Sequence, residues 1–283
     1  MIPNGGSVNG TIAIDGETDT HTFDGVAGQE GVISISGDVI GGEFYRVFNP
    51  DGTQLLDDAN QAFLVLPQTG TYTVIVSSFQ ASGTGNYAVH LALAPGANEH
   101  GLIPNGGSAA QNIGDNGEID SFTFTGAAGQ QGAISITGNV IGGEFMLIFN
   151  PAGTLLDTTS SQTPLNLPQD GTYTVVVRSF QASGTGSYVI NLVLDPLPTP
   201  VVVFMPGVLE FGDLALSAGR TETVTVANGG DGTLRPSMVS IVGRDPADFT
   251  VLADTCIGAK LSSAQTCGIE IRFMPGAPGL RQA

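Results

Sequence analysis

Apolar side chains recur at every second position through most of this chain. In Thr71-Tyr72-Thr73-Val74-Ile75-Val76-Ser77, Tyr72, Val74 and Val76 share one face, and the threonines and Ser77 take the other. Tyr87, Val89, Leu91 and Leu93 repeat the pattern, which places His90 on the outward face. Turn signals separate these runs at Asn49-Pro50-Asp51-Gly52, Gln68-Thr69-Gly70 and Ser82-Gly83-Thr84-Gly85. No stretch carries a 3.6-residue apolar stripe with caps. Short strands at this spacing predict an all-β chain of antiparallel β-sandwiches.

The pattern occurs twice. Ile2-Pro3-Asn4-Gly5-Gly6-Ser7 returns as Ile103 to Ser108, Val39 to Phe44 (VIGGEF) as Val140 to Phe145, and Ser78 to Gly85 (SFQASGTG) as Ser179 to Gly186, all at an offset of 101. Between these blocks the alignment places one extra residue near Gln54 in the first copy, which pairs Asp57 with Asp157. Units of about 95 residues are too long for solenoid repeats and suit independent domains. The expected boundaries are 1–95 and 102–195. Ala94 to Asn98 is the short connector, and Asp195-Pro196-Leu197-Pro198-Thr199-Pro200 is a stiff linker to a different segment, 201–283.

The order of Asp19, Phe23, Gly28-Gln29, Gly52, Gly70 to Val74, and Gly85 with Tyr87 resembles the bacterial pre-peptidase C-terminal (PPC) domain. The second copy repeats it with Asp120, Phe124, Gly129-Gln130, Gly153, Gly171 to Val175, and Gly186 with Tyr188. That resemblance implies two tandem jelly-roll-like sandwiches, non-catalytic and secreted, often appended to proteases, with relatives that bind calcium, collagen or polysaccharide. Segment 201–283 is similar to immunoglobulin-like modules of the choice-of-anchor D and ASPM/SPD-2/Hydin type. Leu209 to Gly212, Thr221 to Val226, Asn228-Gly229-Gly230, Asp245 to Phe249, Cys256, Cys267 and Phe273-Met274-Pro275 carry the similarity. Such modules continue with one more strand after the element at Gly279 to Ala283, so the third sandwich is expected to lack its last strand. We expect the chain to be a piece of a longer protein, in which case the missing basic-apolar leader after Met1 carries little weight.

Charge narrows the partners. Of 283 residues 26 are acidic and 8 basic, a formal net charge of −18, and Lys260 is the sole lysine. Such a surface repels phosphate backbones and anionic lipid, which argues against nucleic-acid binding and electrostatic membrane docking. No run of 18 apolar residues is present, so no membrane insertion is expected. Six of the basic residues lie in 201–283, setting that segment apart from the acidic repeats.

Candidate chemistry is sparse. Cys256 and Cys267 are the only cysteines. Their spacing suits either a disulfide, worth about 3 kcal/mol in an oxidising compartment, or two reduced core thiols. A C-x10-C pair without companion His or Cys is not a zinc pattern. His21, His90 and His100 have no nucleophile or elbow motif beside them, and His21 and His90 are replaced between copies, so no catalytic residues are assigned. Acidic pairs flanking a glycosidic bond are disfavoured because no tryptophan is present to form a sugar platform.

Calcium is the candidate cofactor. Asp15, Glu17 and Asp19 stand at alternate positions before a strand, matched by Asn116, Glu118 and Asp120. Clustered oxygens in a glycine-containing turn are what that ion takes. The alternative is that these acids cap a turn and solvate a strand start. Phe79 and Phe180, in a polar glycine-rich loop, are read either as a contact surface or as plugs at the sandwich ends.

These readings lead to a non-catalytic extracellular or cell-surface segment of a bacterial protein, acting in adhesion or as a spacer. Its partners would be an extracellular polysaccharide, a protein, or neighbouring copies of itself. One alternative is a substrate-targeting accessory region of a secreted hydrolase, a protease above all. Another is a filament or matrix subunit joined by β-strand addition.

Overall fold

A computed structural model describes residues 1–80, 82–181 and 184–283. The first repeat contains β1 (Gly6–Ile12), β2 (Thr18–Gly25), β3 (Glu30–Gly37), β4 (Glu43–Phe48), β5 (Gln54–Asp58), β6 (Gln61–Val65), β7 (Gly70–Ser78) and β8 (Gly85–Ala94). The second contains β9 (Ser108–Ile113), β10 (Ile119–Gly126), β11 (Gln131–Gly138), β12 (Glu144–Phe149), β13 (Leu155–Thr159), β14 (Gln162–Asn166), β15 (Gly171–Ser179) and β16 (Gly186–Leu194). Each repeat folds into two antiparallel sheets, ordered β1-β8-β3-β6 and β2-β7-β4-β5 in the first. The second has the same order, β9-β16-β11-β14 and β10-β15-β12-β13. Apart from the β4-β5 and β12-β13 hairpins, which stay within one sheet, consecutive strands alternate between the sheets as in an eight-stranded jelly roll.

The inward faces are those the alternation marks. Tyr72, Val74 and Val76 pack with Phe23, Tyr45, Val89 and Leu91 in one core; Tyr173, Val175 and Val177 pack with Phe124, Met146, Ile190 and Leu192 in the other. Phe23 stacks on Tyr72 with ring centroids 5.1 Å apart, and Phe124 stacks on Tyr173 at 4.9 Å. The Tyr72 hydroxyl donates to the Gln68 carbonyl at 2.6 Å, pinning the turn that launches β7; Tyr173 does the same to Gln169 at 2.8 Å. In the VIGGEF turn both glycines adopt positive φ, 88° and 91° at Gly41 and Gly42 and 84° and 92° at Gly142 and Gly143. Side chains rarely tolerate that conformation, which accounts for the repeated Gly-Gly.

The register corrects one alignment. Tyr45 pairs with Asp58 and Met146 with Thr159; Val47 pairs with Leu56 and Ile148 with Asp157. A bulge falls at the same place in both hairpins, so the offset of 101 holds throughout. Asp157 therefore occupies the position of Leu56, not of Asp57. The similar Leu-Leu-Asp strings had suggested a shift that the pairing does not make.

The two repeats form one compact unit, Met1–Asp195, and Pro196–Ala283 forms another. Inside the first unit, unlike faces meet. The outer face of β3 and β8 gives Val32, Ala92 and Ala94; β10, β12 and β15 of the second repeat give Ile119, Leu147, Phe149 and Val176 to the same buried cluster. Phe63 of β6 stacks on Phe149 with centroids 6.3 Å apart. Ser34 Oγ donates to the Gly117 carbonyl at 2.5 Å, Arg178 Nη1 donates to Gln61 Oε1 at 2.9 Å, and the Leu155 amide donates to Glu30 Oε2 at 2.7 Å. This contact explains why His90, outward by alternation, is buried: it sits against the second repeat, bonded to Ser36 Oγ at 3.0 Å. Burial holds the imidazole below its usual pKa despite nearby Glu118 and Asp115.

The other unit has one antiparallel sheet, ordered β17-β18-β20-β19: β17 (Val202–Met205), β18 (Arg220–Asn228), β19 (Phe249–Asp254) and β20 (Thr266–Phe273). Irregular segments cover it, joined by a single bridge between Leu234 and Leu261 among the described residues. Its small core contains Val224, Val226, Leu234, Leu261, Ile269 and both cysteines, with Phe211, Phe249 and Phe273 forming a neighbouring ring cluster. Asn228 anchors the turn region by donating to the carbonyls of Gly232 and Leu261 and accepting from the amides of Gly230 and Val201.

Candidate functional site

The candidate acids have definite partners. Asp19 on β2 faces Tyr87 on β8 across the sandwich, and the Tyr87 hydroxyl donates to Asp19 Oδ2 at 2.6 Å. His21 Nε2 lies 2.7 Å from the same hydroxyl. The second repeat keeps the pair, with Tyr188 Oη 2.5 Å from Asp120 Oδ2, but Phe122 stands where His21 was. There the connector supplies His100, whose Nε2 lies 2.8 Å from Asp120 Oδ1 and 3.8 Å from Glu99 Oε2. Asp120 is 1% exposed. Desolvation pushes its carboxyl above the ordinary range, opposed by the hydrogen bonds from Tyr188 and His100. Burial, reinforced by the Asp120 charge, drives the Tyr188 phenol far upward.

Glu99, His100 and Asp120 are the one set of three possible metal ligands that converges among the described residues, with ligand atoms within 4.8 Å of one another. Both oxygens of Asp120 are already engaged, by His100 and Tyr188. Asp15, Glu17 and Asp19 are not drawn to one point. Glu17 Oε2 accepts from the amides of Ala13 at 2.5 Å and Ile14 at 3.1 Å; Glu118 Oε2 accepts from Gly114 at 2.5 Å and Asp115 at 3.0 Å. Asp15 and Asn116 stand exposed at the turn tips. The geometry therefore gives the two glutamates a turn-capping contact and the two aspartates a tyrosine partner.

Phe79 and Phe180 are 63% and 58% exposed, outside both cores, so neither plugs a sandwich end. Each meets a second phenylalanine edge-on: Phe79 against Phe44 at 5.6 Å, Phe180 against Phe145 at 5.3 Å. A guanidinium covers the inner ring in both copies but comes from different strands. Arg46 on β4 lies 5.0 Å from the Phe44 centroid, and Arg178 on β15 lies 4.7 Å from that of Phe145. Phe44 and Phe145 went unselected in the sequence, although both end the repeated VIGGEF string. In the first repeat these groups border a shallow hollow of about 340 Å³ together with Gly16, Glu17, Thr18, Ser77 and Ser78. Ala81, Ala182 and Ser183 of the same loops lie outside the described residues.

No family model matches the chain, and no curated protein sequence is similar to it. Among solved structures, the CUB1-EGF-CUB2 region of human MASP-1/3 aligns with 66% of this chain and 98% of its own at 7% identity, with a TM-score of 0.22. A calcium-binding mutant of Bacteroides uniformis beta-glucuronidase 2 aligns with 74% of this chain and 24% of its own at 12% identity, with a TM-score of 0.18. Likenesses this distant carry nothing about what the chain binds. No helix among the described residues is long and apolar enough to cross a membrane.

Cys256 and Cys267 are joined in a disulfide, with Cα atoms 5.1 Å apart. The bridge ties the turn after β19 to β20, and both sulfurs belong to the small core. Val202, Phe204 and Met205 on edge strand β17 are about half exposed.

Proposed function

We propose that the chain is a non-catalytic extracellular segment of a bacterial surface or secreted protein, with two jelly rolls of the PPC kind and one immunoglobulin-like module of the choice-of-anchor D kind. It serves as a binding and spacing element. The observation that carries this reading is the outer face of β2-β7-β4-β5. Exposed Phe79 against half-buried Phe44, a guanidinium and a turn-capping carboxylate border an open hollow there, the mix of aromatic anchors and polar rim that contact surfaces use. The disulfide favours an oxidising compartment. Face-to-face burial between the repeats suits a spacer, because it removes the freedom a bare linker would leave.

The test is retention on collagen, chitin, cellulose and cell-wall glycans, with and without calcium. One of these polymers is expected to retain the chain, with Phe79→Ala and Arg46→Ala each lowering retention about tenfold, the size of a contact hot spot. Chelation is expected to leave retention and melting temperature unchanged, since Glu17 and Glu118 already spend an oxygen on turn amides. Retention unaffected by both substitutions, or none on any polymer by a chain that also stays monomeric, would overturn the reading.

A further inference from the structure

The outer face of β2-β7-β4-β5 is open in the first repeat; its counterpart in the second is covered by the first repeat around Gly117, Leu147 and Phe149, while Phe180 stays exposed. The Gly117 carbonyl takes hydrogen bonds from Ser34 and Gln61, Arg178 donates to Gln61, and Phe149 receives Phe63. A Cβ on Gly117 would lie 2.5 Å from the Ile35 carbonyl oxygen, so the neighbouring strand sits directly on this glycine; at the matching Gly16 there is nothing within 4 Å. Gly16, Phe44 and Phe48 reproduce the receiving face, with Arg46 covering Phe44 as Arg178 covers Phe145. The donating face recurs as well. Ser135 and Gln162 of the second repeat stand at the positions of Ser34 and Gln61, and Gln162 is exposed.

We propose that one copy of this chain docks head to tail on another, the Ser135/Gln162 face of its second repeat seating on the Gly16/Arg46/Phe48 face of the next copy's first repeat. This rests on the reading of that face as the contact surface, and it names the occupant as a second copy. The substitutions at the open faces are complementary. Leu147 and Ala94, two members of the buried cluster, become Arg46 and Asp195 at the corresponding open positions, an apolar pair exchanged for an opposite-charge pair. Of the remaining apolar contacts, Phe63, Val32 and Ile119 give way to Pro164, Ala133 and Thr18, while Ala92 and Val176 give way to the larger Val193 and Ile75; the loss of the aromatic ring and of Ile119 makes the association weaker than the internal one and reversible. Because the two faces differ, the contact is heterologous and leaves one of each kind free at the ends of any assembly.

Sedimentation equilibrium of the full chain at about 0.15 M salt, where surface charges are screened beyond roughly 8 Å, tests this. The weight-average mass is expected to climb above 28.8 kDa with concentration and to pass beyond the dimer. Thr18→Arg, which puts a bulky cation on the receiving face at the position matching Ile119, and Gln162→Arg, which puts one on the donating face, are each expected to weaken association at least tenfold. Mixed together they should form a dimer and stop there, because each variant keeps the face the other lacks. Monomers at every concentration, association that either variant leaves unchanged, or a mixture no more associated than its components would overturn the proposal. Polymer retention lost with Phe79→Ala in a chain that stays monomeric would refute self-docking and leave the contact-surface reading standing.

Discussion

Phe149→Ala is expected to destabilise the Met1–Asp195 unit by about 3–5 kcal/mol, the usual cost of emptying a closed aromatic site. Phe48→Ala, the same change at the matching position of the first repeat, is expected to cost about 1 kcal/mol. Both rings point away from their own sandwich core. Phe149 is nevertheless fully buried, stacked on Phe63 inside the cluster shared by the repeats, whereas Phe48 is only partly covered. Two independent sandwiches of one topology would give similar small losses. Urea unfolding of the full chain reads the difference, and in a thermal scan it corresponds to a shift of roughly 10 °C for a unit of this size. Equal losses at the two sites would mean that the faces of the repeats do not meet.

Reduction of the Cys256–Cys267 bridge is expected to lower the stability of the Pro196–Ala283 unit by about 3 kcal/mol, the chain-entropy value for so short a loop. In a domain of this length that is a drop of roughly 10–20 °C in its melting transition, with the transition of the repeats unmoved. The unit is sensitive because its core is small. One four-stranded sheet is covered by irregular segments, and the sulfurs fill part of the space that Val224, Val226 and Ile269 enclose. Reduction is a cleaner probe than Cys→Ala, which would add a cavity to the lost crosslink. A scan under reducing agent that leaves this transition in place would show that the module is held by its sheet alone.

Much of the fold was legible because its cause is local. A strand with one face inward must alternate, so Tyr72, Val74 and Val76 and their counterparts identified the cores without any tertiary information. The contact between the repeats is different in kind. His90 and Ala92 occupy positions that read as solvent-facing, and only the second repeat buries them. A trace was present: after His90 the first copy runs Leu91-Ala92-Leu93-Ala94 without a polar residue, as in a strand covered on both sides, whereas the second copy has Asp195 in place of Ala94.

The site was harder to read for a similar reason. Acids at alternate positions suit calcium by composition, but a glutamate reaching back to amides three and four residues earlier becomes visible only once the turn is folded. The guanidinium over each phenylalanine was hidden because the arginine changed strands between copies while keeping its ring contact.

The central claim is that the repeats are joined through a polar-rimmed face contact whose counterparts at the two ends remain open. A double-mutant cycle on Gln61 and Arg178 tests it most directly, since these side chains lie 117 positions apart and meet at 2.9 Å only if that contact exists. Gln61→Ala, Arg178→Ala and the double variant should show a coupling of at least about 1 kcal/mol in the unfolding of the repeats, as expected for a part-buried hydrogen bond to a charged group. Effects that simply add, within about 0.3 kcal/mol, would contradict it.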